Sequence, residues 1–330
     1  MMAYSSEVVR RARQRLESAK ADKASVYRER LQAVYSHLPR VREIDIQLRK
    51  SMVLATQAIF SRENGAEDAM ESVKKANIAL QKERKALIEA EFGPDYLDES
   101  AICPHCGGIG YIGSQMCRCL LELCRQEQKK ELTLLSCGEG SFEDFKLEYY
   151  PDRPISGGAV SLRAIMQKTF SDCRAYAKSF GSHQENLLFS GDTGLGKTFL
   201  SACIARDVAD RGYSVVYESA VHLFDNMEKA KFSDDEEAAK DAQKYTACDL
   251  LIVDDLGTEM AGQFVTTALY TLINDRLLAG KPTIISTNLT AEEMSKRYSP
   301  QILSRLRGSY RRMTFVGDDI RILKNRGIVR

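Results

Sequence analysis

"NLLFSGDTGLGKTFLSACIA", Asn186 to Ala205, decides how this chain folds. Asn186 to Ser190 form a short apolar run that reads as a buried strand, and the residues after Thr198 read as a helix. Between them "GDTGLGKT" fits the pattern G-x-x-x-x-G-K-[ST] in full. Glycines at 191, 194 and 196 carry no Cβ, so backbone N–H groups can curl around phosphate oxygens. The following helix N-terminus adds partial positive charge. Gly191, Asp192, Thr193, Gly194, Leu195, Gly196, Lys197, Thr198 and Phe199 are therefore the expected ATP-binding segment. Lys197 should reach the β- and γ-phosphates and the Thr198 hydroxyl should ligate Mg²⁺.

Downstream, "DLLIVDDLG" (Asp249 to Gly257) runs apolar residues up to two carboxylates, where ligands of open α/β sheets bind. Asp254 is expected to hold Mg²⁺, directly or through water. Asp255 either polarises the attacking water or caps a turn. A third strand, "PTIISTNL" (Pro282 to Leu289), ends in Asn288, whose amide is placed to orient that water or to contact the γ-phosphate. "PQILSRLRGSY" then puts Arg305 and Arg307 in a helical segment. An arginine so far along the chain from its own phosphate loop suits transition-state charge in a neighbouring subunit, or is simply a surface residue. From Ser161 onward, helix, apolar strand and glycine-rich loop alternate, which implies an α/β domain on a parallel sheet.

Upstream of residue 91 the composition changes to Ala, Glu, Lys, Arg, Gln and Leu, all strong helix formers. Ile44, Leu48, Val53, Ile59 and Phe60 recur at helical spacing, and Gly65 suits a turn before a second helix from about Ala66 to Glu91. This region is a plain helical hairpin or a docking module. "SFEDFKLEYYPDRP" (Ser141 to Pro154) reads as a linker that packs onto the next domain. The expected boundaries are 1–100 helical domain, 101–136 zinc-binding module, 137–160 linker and 161–330 ATPase.

Cys103, Cys106, Cys117 and Cys119 form C-x₂-C-x₁₀-C-x-C in a glycine-rich turn. Two thiolate pairs at that spacing can complete a tetrahedral S₄ site, which favours Zn²⁺ and leaves no open position, so the role is structural. His105 and Cys124 are alternative ligands. The other cysteines (Cys124, Cys137, Cys173, Cys203, Cys248) are scattered singly, so no disulfide framework is expected among the nine. No run approaches the ~18 apolar residues that span a bilayer, and "MMAYSSEVVRRARQRLESAK" is charged throughout, so a cytoplasmic location is expected. A net charge of +1 identifies no nucleic-acid partner by itself.

The order of phosphate loop, Asp-Asp strand, Ser-Thr-Asn strand and Ser-Arg-Leu segment resembles an AAA+ ATPase. "VDDLGTE", "LINDRLLAGKPTIISTNL" and "ILSRLRG" are similar to bacterial replicative-helicase loaders of the DnaI/DnaC type, over Ser141 to Arg330. A helical domain followed by "CPHCGGIGY…CRCL" resembles the zinc-containing DnaI-like branch. The resemblance implies Walker A at Gly191 to Thr198, Walker B at Asp254 and Asp255, sensor 1 at Asn288 and the arginine finger at Arg305. Asp255 stands where related ATPases usually carry glutamate, so slow hydrolysis is expected. It also implies an extra helical insertion after "SVVYES", in which Lys229, Lys231 and Phe232 combine cations with a stacking ring suited to single-stranded DNA, or form a solvated helix end. "GDDIRILKNRGIVR" closes the sequence and leaves little room after the last strand, so no helical lid is expected and Arg321 is only a candidate sensor 2. Basic residues from Lys296 to Arg330 form a local excess that suits phosphates or a neighbouring subunit's nucleotide, or a solvated face.

The implied function is ATP-dependent helicase loading in replication, with a helicase hexamer, single-stranded DNA and further copies of this chain as partners. A transposition helper of the IstB type shares much of the core, although the cysteine module argues against it. A nucleotide-dependent adaptor with little hydrolysis is the alternative of a different class.

Overall fold

The computed structural model describes residues 4–61, 66–133, 140–154, 160–182, 185–233 and 235–325. Gly65, Cys137, Arg326 and Arg330 lie outside these, as do the side chains of Ile59 and Phe60. The chain divides into two compact units, Gln14–Cys119 and Met1–Arg13 together with Leu120–Arg330.

Helices α1 (Ser6–His37), α2 (Pro39–Ser61) and α3 (Ala66–Phe92) open the chain. α1 therefore precedes the expected pair. Pro39 separates it from α2, because proline has no N–H to donate and is tolerated at a helix start. Val34, Val41 and Ile88 form a small core, joined by the stacked rings of Phe92 and Tyr96. Around it Arg84 pairs with Asp45 at 2.8 Å, both largely buried, and Ser51 donates to Asn77. The cysteine turn follows, built on a two-residue antiparallel ladder between β1 (Tyr111–Ile112) and β2 (Gln115–Met116).

After α4 (Arg118–Thr133), two short 3₁₀ turns (Phe142–Asp144 and Leu147–Tyr149) lead to α5 (Leu162–Ser179). The stretch read as a linker is described over 140–154, and there Phe142 and Tyr150 are buried in the core of the nucleotide-binding region. The alternating part then runs β3 (Asn186–Ser190), α6 (Lys197–Asp210), β4 (Val215–Ser219), α7 (Ala220–Phe232), α8 (Glu236–Ala242), α9 (Lys244–Ala247) and β5 (Leu250–Leu256). It continues through α10 (Gln263–Leu278), β6 (Thr283–Thr287), α11 (Ala291–Arg297), α12 (Pro300–Ser309), β7 (Tyr310–Thr314) and α13 (Ile320–Asn325).

Five strands form one parallel sheet in the order β4-β5-β6-β3-β7. Successive side chains of a strand point to opposite faces, and two cores result. Leu187, Phe189, Leu250, Ile252 and Ile284 join one, while Leu188, Leu251, Val253 and Ile285 join the other. Burial on both faces is why these strands read as continuous apolar runs rather than alternating ones.

The edge at β4 is closed by a side chain. Gln128 of α4 donates to the Tyr213 carbonyl at 3.1 Å and accepts from the Val215 N–H at 3.1 Å, as another strand would. Arg11 supports α4 through Glu127 and Glu131. Gln128 is 3% exposed, so its loss leaves two buried backbone groups without these partners. Gln128→Ala is expected to lower unfolding free energy by about 2 kcal/mol, read as a shifted urea midpoint.

Candidate active site and metal centre

The phosphate loop joins β3 to α6 at the C-terminal edge of the sheet. Gly191 has φ +154, and a Cβ there would collide with the Phe315 carbonyl, so glycine is required. Gly196 adopts φ +91 as the N-cap of α6. The loop's carbonyls are pinned: Lys197 Nζ donates to those of Gly191 and Asp192, both at 2.7 Å. The Ile320 N–H takes that of Gly194 at 3.0 Å, and the Tyr150 hydroxyl takes that of Leu195 at 2.9 Å. Burial lowers the Lys197 pKa, and the charges of Asp255 and Asp254 oppose that shift.

β5 brings the two carboxylates to the same end. Asp254 is 6% exposed and accepts from the Ser286 hydroxyl and, at 2.8 Å, from the Tyr217 hydroxyl. Asp255 follows at a register shift between β5 and β6 and adopts φ +54, with its N–H donating to Ser286 Oγ at 2.8 Å. Burial raises the Asp255 carboxyl above the ordinary aspartate range, and Asp254 adds to this. Lys197 and Arg321 pull it back.

The second half of the loop and Asp255 line a cavity of about 380 Å³, within the size range of small-molecule sites. Thr193 to Phe199 and Asp255 form its floor. Lys146, Lys197, Arg321 and Lys324 place four cations around it. Phe145, Tyr149 and Tyr150 supply an aromatic wall, with Phe145 stacked on Tyr150 and Lys324 over the Tyr149 ring. Cations beside rings suit a ligand with a polyanionic end and a flat apolar end. Phe145, Lys146, Tyr149 and Tyr150 were missed by sequence reasoning, and Lys324 was read only as part of the C-terminal basic excess. The signal available was "FEDFKLEYY", aromatic residues at close intervals among charges. Arg321, only a candidate earlier, stands in this wall.

Other expected residues lie apart from the cavity. Asn288 directly follows β6, half-buried, beside the Asp254–Asp255 strand. Arg305 of α12 stacks on Tyr270 at 4.4 Å and donates to the Tyr270 hydroxyl and the Asn274 side chain. It is not among the residues that wall its own cavity. Lys229, Lys231 and Phe232 sit at the C-terminal end of α7, where Lys231 Nζ lies 5.5 Å from the Phe232 ring and 5.6 Å from that of Phe264. Phe232 is 68% exposed. Glu259, also missed, is buried beyond Asp255 and holds that loop by accepting from Gly257 N–H, Tyr298 and Arg297.

In the other unit, the sulfurs of Cys103, Cys106, Cys117 and Cys119 lie within 4.8 Å of one another. The Cys103–Cys117 and Cys106–Cys119 pairs are 3.7 and 3.4 Å apart. A tetrahedral ion with Zn–S bonds of about 2.3 Å needs S···S edges of roughly 3.8 Å, so the four thiols fit Zn²⁺. The Gly110 N–H donates to Cys106 Sγ at 3.2 Å, favouring its thiolate. Among the described residues neither alternative ligand joins this group. His105 is exposed, and Cys124 is buried in α4 with its thiol pushed up to about 11 by burial.

Residues 163–307 match the family described as IstB-like ATP binding protein. Over 137 residues the chain is 25% identical to the replicative helicase loader DnaC of Escherichia coli, covering 42% of this chain and 56% of that protein. The nucleotide-binding region is thus similar to IstB-like ATP-binding proteins and to DnaC. An ATP-binding protein of an insertion sequence in Mycobacterium tuberculosis is 27% identical over 150 residues, 46% of this chain and 53% of that one. The chain thus spans about half the length of the curated relatives it matches. A crystal structure of the DnaC helicase loader aligns with 53% of this chain and 98% of its own, at 17% identity and TM-score 0.44. No described helix is long and apolar enough to cross a membrane.

Two measurements check the sites. Purified protein is expected to carry one equivalent of zinc by elemental analysis. Cys117→Ser should release it and make residues 14–119 protease-sensitive while ATP affinity is retained. At Asp255, a raised pKa keeps the carboxyl protonated to higher pH than usual. If hydrolysis needs the carboxylate, its rate should fall on acidification through a pH above the ordinary aspartate value of 3.8. Asp255→Asn should remove most hydrolysis and leave nucleotide binding intact.

Proposed function

We propose that this chain is an ATP-dependent loader of a replicative DNA helicase. Residues 1–100 and the 101–136 zinc module would dock the helicase, with 161–330 as the motor. One observation carries the reading: Lys197 and Asp255 line one cation-rich cavity, and Asp254 lies near enough for its charge to act on Lys197. The sequence match to a protein described as a replicative helicase loader supports the loading role.

The residues divide the work as follows. Backbone groups of Gly191 to Phe199 cradle the triphosphate, and the Lys197 ammonium neutralises its β- and γ-oxygens. Thr198 and Asp254 would hold Mg²⁺, which would supply further neutralisation of phosphate charge. Asp255 accepts a proton from the attacking water, and Asn288 orients that water. An aspartate reaches less far than the glutamate usual in AAA+ proteins, so turnover is slow and rises on assembly. Arg305 acts on the nucleotide of a neighbouring copy, and its stacking on Tyr270 holds the guanidinium ready at the surface. Lys229, Lys231 and Phe232, with Phe264 beside them, offer single-stranded DNA a ring and two cations.

A second reading has its own support, because the family match and the mycobacterial relative both point to insertion-sequence ATPases. There the partner would be a transposase.

The deciding experiment is co-purification with a replicative helicase and, in parallel, with a transposase, each with and without ATP. Nucleotide-dependent capture of helicase alone is expected; capture of transposase alone would reverse the choice. Lys197→Ala removes a buried charge contact to phosphate, a loss of about 3 kcal/mol or roughly a hundredfold in ATP affinity, and should abolish loading. Phosphate release measured with single-stranded DNA separates a motor from an adaptor that never hydrolyses.

A further inference from the structure

Tyr217 lies on β4, the strand beyond β5, and carries none of the roles assigned above. Its hydroxyl donates to Asp254 Oδ2 at 2.8 Å and lies 3.4 Å from the Thr198 carbonyl. It thus stands between the two residues read as holding Mg²⁺. The other oxygen, Asp254 Oδ1, takes the Ser286 hydroxyl from β6 on the opposite side. Each carboxylate oxygen is therefore fixed by one donor from a flanking strand. An ionised carboxylate accepts about four hydrogen bonds or ligands, so capacity remains for a cation or its water.

The register explains the approach. β4 and β5 pair in parallel, with Tyr217 opposite Ile252 and Ser219 opposite Asp254. Tyr217 shares a face with its partner Ile252 and packs against the same core. Its long ring carries the hydroxyl toward the strand's C-terminal end, where serine or threonine at the same position is too short to follow. Gln128 fixes the backbone two residues earlier, at Val215.

We propose that Tyr217 is a positioning residue: its hydroxyl orients the Asp254 carboxylate toward Mg²⁺. This rests on the reading of the cavity as an ATP site. Groups that orient a metal-binding carboxylate typically change metal affinity or activity by about 10–100-fold. Removing the phenol oxygen should therefore act on metal dependence and leave contacts to base and phosphate alone.

The test is Tyr217→Phe in the full chain, with a fluorescent ATP analogue titrated in EDTA and again across Mg²⁺ concentrations. The ring is kept, so affinity in EDTA should equal wild type, which also reports correct folding. The Mg²⁺ concentration giving half of the metal-dependent gain in affinity should rise roughly tenfold. kcat should fall with little change in KM at saturating Mg²⁺. An unchanged Mg²⁺ curve with wild-type binding would overturn the role of Tyr217 and leave the ATP site standing. Absence of nucleotide binding by wild-type protein would overturn both.

Discussion

The Ser286 hydroxyl holds the geometry on which the rest of the site depends. It is fully buried, donates to Asp254 and accepts from the Asp255 N–H, so one oxygen fixes two consecutive residues of the neighbouring strand. The ladder between β5 and β6 loses register at this point, and Asp255 turns to φ +54. Left-handed backbone at a non-glycine residue costs on the order of 1–3 kcal/mol and persists only when its surroundings impose it. Here a buried hydroxyl and a displaced ladder impose it. The result is a pair of carboxylates, the first tied into the sheet and the second released toward the cavity.

Charge balance follows from that placement. Two adjacent carboxylates at the end of a buried strand repel each other and lose solvation, which is why Asp255 is raised. Lys197 offsets this from the loop side and Arg321 from α13. A polyphosphate entering the same space meets Lys146 and Lys324 as well. The two cavity walls are joined outside it by Arg153 and Asp318 at 3.0 Å, so segments some 165 positions apart close one pocket.

How much of this could be read from the sequence depends on how local each feature is. The phosphate loop is contiguous and lies between an apolar strand and a helix, so Gly191, Lys197 and Thr198 were legible at once. Each core strand is an apolar run of five to seven residues that ends at the site. The cysteine group was legible because its four thiols lie within one short stretch of sequence. The aromatic wall at 145–150 was read as a linker, because its packing partners, Phe170, Leu195 and Phe199, are contacts made only by the fold. Gln128, Tyr217 and Glu259 escaped for the same reason. Each acts through one polar atom on a partner set by strand order or helix docking, and neither leaves a mark in composition or spacing.

The aspartate at 255 illustrates how conformation and chemistry constrain one residue together. Compared only with a glutamate, a shorter side chain looks like a weakened general base. Yet the position needs positive φ, and among residues with a carboxylate aspartate visits that region more readily, since its short polar group can bond locally. A glutamate at the same bulge would gain reach but would sit less easily in this backbone. The residue type is therefore a consequence of the bulge that Ser286 holds. A shift back into regular β5–β6 register would change both the reach required and the residue best able to supply it.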